Sequence, residues 1–221
     1  MEHAKLNRAP QKAKKISVVE AAIVTAGFEY RSVRSYEDVP APFSRPLVAY
    51  AIGFEAYAPR KLSEAMLAPL AMRLINTASD EPVEKERAKL LALETHRRIL
   101  SMFCFDELRN LDLAAMFRRT PDLLHAAARC HHLRDGEGPC CVPVRANLLT
   151  GTNDYRRKAF EDGYLSCVYA YANSGANDDA GASAAEAVGR CCHRAGARRR
   201  EKYFTLAATI LDEAIKLGHV T

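Results

Sequence analysis

An all-α bundle of about seven or eight helices, with no convincing sheet, is the fold class this sequence predicts. Three observations carry that expectation. Apolar residues recur at helical spacing in segment after segment. Only residues 28–36 alternate weakly, through Phe28, Tyr30 and Val33, and no second run offers a strand to pair with them. Glycine and proline are modest in number, 11 and 10 in 221 residues, and no internal repeat occurs.

Residues 1–15 carry Lys5, Arg8, Lys12, Lys14 and Lys15 beside Pro10 and read as a mobile basic arm. Residues 16–221 read as one helical domain, with the alternative of a division at 133–151. The first helix spans 16–27, where Val18, Val19, Ala22, Ile23 and Ala26 share a face and Gly27 is a natural stop. Pro40, Pro42 and Pro46 then forbid a regular helix across their segment. Helical spacing resumes over 47–57 and over 61–76, the latter with Leu62, Met66, Leu70 and Leu74 in one stripe and Pro69 as an internal kink. Ser79-Asp80-Glu81-Pro82 supplies a cap, acidic charge and a first-turn proline, in the order a helix start prefers.

The run 83–105 is then the best helix. Glu81–Lys85 and Glu94–Arg98 are acid-before-base pairs, and Leu93, Leu100 and Cys104 belong to an apolar face. Residues 106–118 continue it or turn a corner. Thr120-Pro121-Asp122 starts a helix over 123–132. A loop follows over 133–151, marked by Asp135-Gly136-Glu137-Gly138-Pro139 and Pro143. Helices over 154–172, 179–195 and 198–217 close the chain, the last burying Tyr203, Ala207, Ile210, Ala214 and Leu217.

Composition excludes several classes. Hydrophobic residues make up 48 % and charged residues 27 %, as in ordinary folded proteins rather than disordered or collagen-like chains. The longest apolar runs, 21–28 and 47–54, fall well short of the ~20 residues that span a bilayer, and the N-terminus has no signal-peptide core. Seven cysteines is an odd number, and Cys140–Cys141 and Cys191–Cys192 are adjacent in sequence, where disulfide geometry is strained. A reduced, cytoplasmic protein without membrane contact is the expectation.

Two constellations could carry binding chemistry. Cys130, His131, His132, Cys140, Cys141, Cys191, Cys192 and His193 offer thiolates and imidazoles from three segments. A subset meeting in space would suit zinc, although no CxxC, HxxxH or HExxH spacing is present. Free cysteines packed as small hydrophobes explain the same residues. Arg190, Arg194 and Arg198 fall at i, i+4 and i+8, and Arg199, Arg200 and Lys202 extend a basic patch able to meet phosphates. Arg118–Arg119 and Arg156-Arg157-Lys158 are further basic clusters. The formal charge is only +5, with acidic residues interspersed, so a solvated helix face is the better account of them.

Phe160, Tyr164, Cys167 and Tyr171 form an aromatic stripe that suits core packing or a pocket wall. No Walker A loop, GxGxxG or GxSxG occurs, so no catalytic residue is assigned. Glu94, His96, Asp106 and Glu107 are among the candidate acid–base groups on or beside the long helix, with His96, Arg97 and Arg98 expected on a solvated face.

Glu20-Ala21-Ala22, Gly27-Phe28, Ser32-Val33-Arg34 and the run 61–67 (Lys-Leu-Ser-Glu-Ala-Met-Leu) resemble the helix-turn-helix domain of TetR-type repressors. That resemblance implies an all-α dimer binding DNA through its N-terminal region. Pro40, Pro42 and Pro46 depart from the family pattern. The function expected from the residues themselves is a non-catalytic binding or regulatory module of the immunity type, with a protein partner or self-association. The alternatives are a metal-binding protein or metal-dependent enzyme, and a DNA-binding regulator.

Overall fold

The computed structural model describes residues 16–122, 125 and 178–218. Among them the fold is all-α, as predicted, with no strand or sheet. Helix α1 (Val18–Thr25) opens with a reciprocal cap. The Ser17 hydroxyl accepts the Glu20 N–H, and the Glu20 carboxylate accepts the Ser17 N–H. Gly27, at φ +86°, turns the chain away.

The weak alternation over 28–36 does not become a strand. A single 3-10 turn at Tyr36–Asp38 replaces it, because the Asp38 carboxylate accepts the Arg34 and Ser35 N–H groups. A side chain that satisfies the backbone locally removes the donors a sheet would need.

Helix α2 (Arg45–Tyr57) carries Pro46 in its first turn and buries residues nearly all round, among them Leu47, Val48, Tyr50 and Phe54. A helix apolar on every side belongs at the centre of a bundle. Helix α3 (Arg60–Ala71) contains Pro69 and tightens into a 3-10 turn at Met72–Leu74. Helix α4 (Glu81–Glu94) starts where the cap sequence indicates, with the Asp80 carboxylate accepting the Val83 N–H at 3.2 Å. It runs through a π turn at Thr95–Leu100 into α5 (Ser101–Asp106), forming one rod. The rod agrees with the long helix read over 83–105; the π turn inside it carries no sequence signal.

The chain then turns a corner. Arg109 adopts φ +55°, and the Asn110 N–H reaches back to the Cys104 carbonyl at 3.0 Å. The Asn110 side chain caps α6 (Leu111–Arg118) by accepting the Leu113 N–H at 2.9 Å. Helices α7 (Asp178–Arg194) and α8 (Ala197–Lys216) complete the described bundle. The basic arm, the helices read over 123–132 and 154–172, the loop over 133–151 and the aromatic stripe from Phe160 to Tyr171 lie outside the described residues.

Helix α7 packs most intimately on α2, and small residues make that possible. A Cβ on Gly53 would stand 2.5 Å from the Ala185 Cβ, and one on Gly189 would enter the Tyr57 side chain. Around this pair α8 buries Tyr203, Phe204, Ala207, Ile210 and Leu211, with the Phe204 ring 5.0 Å from that of Phe54. Ala88, Leu91 and Ala92 of α4 and Phe103 of α5 complete the same core. Dispersion and burial at this density make the helix pairs intolerant of added volume.

Candidate functional site

The rod α4–α5 contains a π turn at Thr95–Leu100, where the wider repeat re-phases the side chains beyond it. The solvated face expected for His96 is corrected here. His96 is 0 % exposed, its ring meets Phe117 edge-on at 4.8 Å, and its Nε2 lies 3.3 Å from the Thr120 hydroxyl. Arg97 and Arg98 are half-buried and tied down rather than free in solvent. Arg97 donates from Nε to the Thr120 carbonyl at 2.9 Å and from a terminal nitrogen to the Pro121 carbonyl at 2.8 Å. Arg98 bridges Glu94 at 2.7 Å and Glu213 at 2.8 Å, and the Glu213 hydrogen bond holds its pKa above the usual value.

These ties form the fixed end of a groove of about 900 Å³ bounded by α5, the C-terminal end of α6 and the first half of α8. Met102, Phe105, Pro121 and Leu206 are its apolar lining. Phe105 is 45 % exposed. Arg118, Arg119 and Lys202 also line the groove, are exposed, and make no ion pair among the described residues. Of the lining carboxylates, Glu94 is engaged by Arg97 and Arg98, leaving Asp106. The groove therefore presents net positive charge beside an apolar surface.

The basic residues singled out on α7 and α8 are arranged differently. Arg190 pairs with Glu186 one turn earlier on α7. Arg194 ends α7, and Arg198 belongs to α8 beyond the break at Ala195 and Gly196, so the i, i+4, i+8 spacing does not run along one helix. The Arg194 side chain lies outside the described residues. Arg198 is exposed. Arg199 pairs at 2.8 Å with Glu107, whose side chain is 3 % exposed, and this hydrogen bond raises the Arg199 pKa. Arg200 donates to the Cys192 and Ala195 carbonyls at 3.1 and 3.5 Å, closing the C-terminal end of α7.

Of the cysteine–histidine group, Cys191 and Cys192 are buried thiols in the core and His193 is exposed. Burial pushes the Cys192 thiol far up, and burial together with neighbouring Cys191 pushes Cys104 up as well. Thiols held protonated in this way are poor nucleophiles and poor metal ligands. Among the described residues no group of three or more His, Cys, Asp or Glu side chains could hold a metal ion. Cys130, His131, His132, Cys140 and Cys141 lie outside the described residues.

Helix α1 ends at Thr25 and α2 does not begin until Arg45, whereas Ala58 and Pro59 alone join α2 to α3. Among the described residues no helix is long and apolar enough to cross a membrane. No protein-family model, no curated protein and no solved structure matches the chain.

Proposed function

We propose that this protein is a non-catalytic interaction module that holds an anionic partner in the groove of α5, α6 and α8. One observation carries the reading: three exposed cations that make no ion pair among the described residues line a cavity beside the apolar side chains of Met102, Phe105, Pro121 and Leu206. On α7 and α8, Arg190, Arg199 and Arg200 are by contrast engaged by Glu186, Glu107 and helix-end carbonyls, while Arg198 is exposed. A cation left free beside an exposed aromatic is available for recognition, and electrostatic complementarity at such a rim sets the encounter rate and the choice of partner. The three described cysteines are thiols, which fits work in a reducing compartment such as the cytoplasm.

The test is binding of three chemically different labelled polyanions: an acidic peptide, single-stranded oligouridine and polyphosphate. Each is measured against the wild type, Arg118→Glu/Arg119→Glu/Lys202→Glu, and the charge reversal Lys61→Glu/Lys89→Glu on α3 and α4. Salt-sensitive binding of at least one probe, lost only in the groove variant, supports the reading. Equal loss in both variants, or no binding by any probe at low salt, overturns it.

A further inference from the structure

We infer that the groove takes an acidic, amphipathic polypeptide segment, with its apolar side chains on Phe105, Met102 and Leu206 and its carboxylates on Arg118, Arg119 and Lys202. The inference rests on the groove being the binding site, and it narrows the partner to one class. Four features favour a polypeptide.

The first is the lining. Phe105 is 45 % exposed and shares the groove with Met102, Leu206 and Pro121, an apolar surface that a phosphodiester chain would leave uncovered. Buried aromatic anchors dominate the energetics of peptide and protein interfaces, with charged residues at their rims.

The second is the backbone around the groove. Compact phosphates are bound by the N–H groups of helix N-termini. Here α5 ends at Asp106 and α6 ends at Arg118, so two helix C-termini adjoin the groove and their carbonyl ends disfavour an anion held against the backbone. Recognition of negative charge falls to the long side chains of Arg118, Arg119 and Lys202. That suits carboxylates spread along a chain.

The third is Asp106, a carboxylate in the same lining. It repels a densely charged polyphosphate more than a segment whose charges are interrupted by apolar residues. The fourth is size. About 900 Å³ accommodates several side chains, whereas a single aromatic gives no ladder for successive bases to stack on.

The test uses the full chain and fluorescence anisotropy. The probes are a peptide alternating Glu and Asp with Leu and Phe, the same peptide with alanine for Leu and Phe, its lysine counterpart, labelled oligouridine and labelled polyphosphate. The acidic amphipathic peptide is expected to bind. Its affinity should fall about tenfold or more on Arg118→Glu/Arg119→Glu/Lys202→Glu, on Phe105→Ala, and on removal of the peptide's apolar residues. The charge-reversed variant should gain the lysine peptide. Lys202→Glu alone, at an exposed position, gives the same direction of change should the triple variant fail to fold.

Binding of oligouridine or polyphosphate without the peptide overturns the polypeptide assignment and leaves the anionic groove standing. Binding of the peptide unaffected by every groove variant also overturns it. Silence from all probes removes the groove reading itself.

Discussion

The guanidinium of Arg87 on α4 donates to the carbonyl of Leu217, 130 residues away, from Nε at 3.1 Å and from a terminal nitrogen at 2.6 Å. Leu217 is the C-cap of α8, so its carbonyl has no partner within the helix. The same guanidinium reaches the Thr77 carbonyl and, at 2.9 Å, the Glu84 carboxylate. Arg87 is only 1 % exposed, and one planar group thus satisfies a helix end, a loop carbonyl and a carboxylate together.

Arg87→Met keeps most of the volume and takes this donor from the Leu217 and Thr77 carbonyls, while Glu84 retains the Ser79 N–H and the Ser44 hydroxyl. The expected cost in urea unfolding is about 1–3 kcal/mol for each buried acceptor left unsatisfied. Arg87→Lys keeps the charge but loses the planar fork, and should fall between that variant and wild type. Wild-type stability in Arg87→Met would show the tie to be idle.

Gly53→Ala tests the α2–α7 seam. Alanine gains about 1 kcal/mol of helix propensity over glycine. Against that, its Cβ would stand 2.5 Å from the Ala185 Cβ, so the two helices must separate. Overpacking of this kind costs about 1–3 kcal/mol. Net destabilisation is expected, and Gly53→Ala/Ala185→Gly should recover much of it. A stabilised single variant would mean the helices part without loss.

What could be read from the sequence was local. Asp80, Glu81 and Pro82 sit within one turn of the helix start they signal, so a start there was legible, although the helix read from 83 begins at Glu81. The apolar face of α8 repeats through Tyr203, Ala207, Ile210 and Ala214 and needs no partner to be seen. His96 shows the opposite case. Two arginines follow it in sequence, yet the π turn and the Phe117 ring from α6 bury it. The groove was half legible. Arg118, Arg119 and Lys202 stood out as basic, but so did Arg190, Arg199 and Arg200. Only the positions of Glu186, Glu107 and the α7 carbonyls separate consumed charge from available charge. Phe105 gave no signal, because exposure of an aromatic depends on what fails to cover it.

Glu55 makes stability depend on pH. Its carboxylate accepts the Val18 N–H at 2.7 Å, yet burial outweighs that hydrogen bond and raises its pKa above the usual carboxylate value. A raised carboxylate pKa favours the folded state when protonated. That contribution is complete below the unfolded value near 4.5 and is lost as pH rises through the higher folded value. Glu55→Gln keeps an oxygen for Val18 without the buried charge. It should therefore gain stability relative to wild type as pH rises from 4 to 7, read from urea midpoints at matched ionic strength. A constant difference across that range would remove Glu55 as the titrating group.

The cysteines separate a core role from a metal role. Cys104, Cys191 and Cys192 are buried thiols, and burial holds the Cys104 and Cys192 protons on. A metal would have to expel those protons and draw Cys191 or Cys192 out of the apolar interior toward His193, which is exposed. Native-state alkylation mapped by mass spectrometry should therefore leave these three unlabelled. Their labelling should follow global unfolding in urea and be indifferent to chelator, because a thiol in the core reacts only when the core opens. Elemental analysis of untagged protein completes the test. About one tightly held zinc per chain, with Cys191 or Cys192 becoming reactive only after chelation, would make them ligands and displace the core assignment. Metal-free protein with the same protection would leave them as packing residues, their sulfur serving the seam that α7 makes with its neighbours.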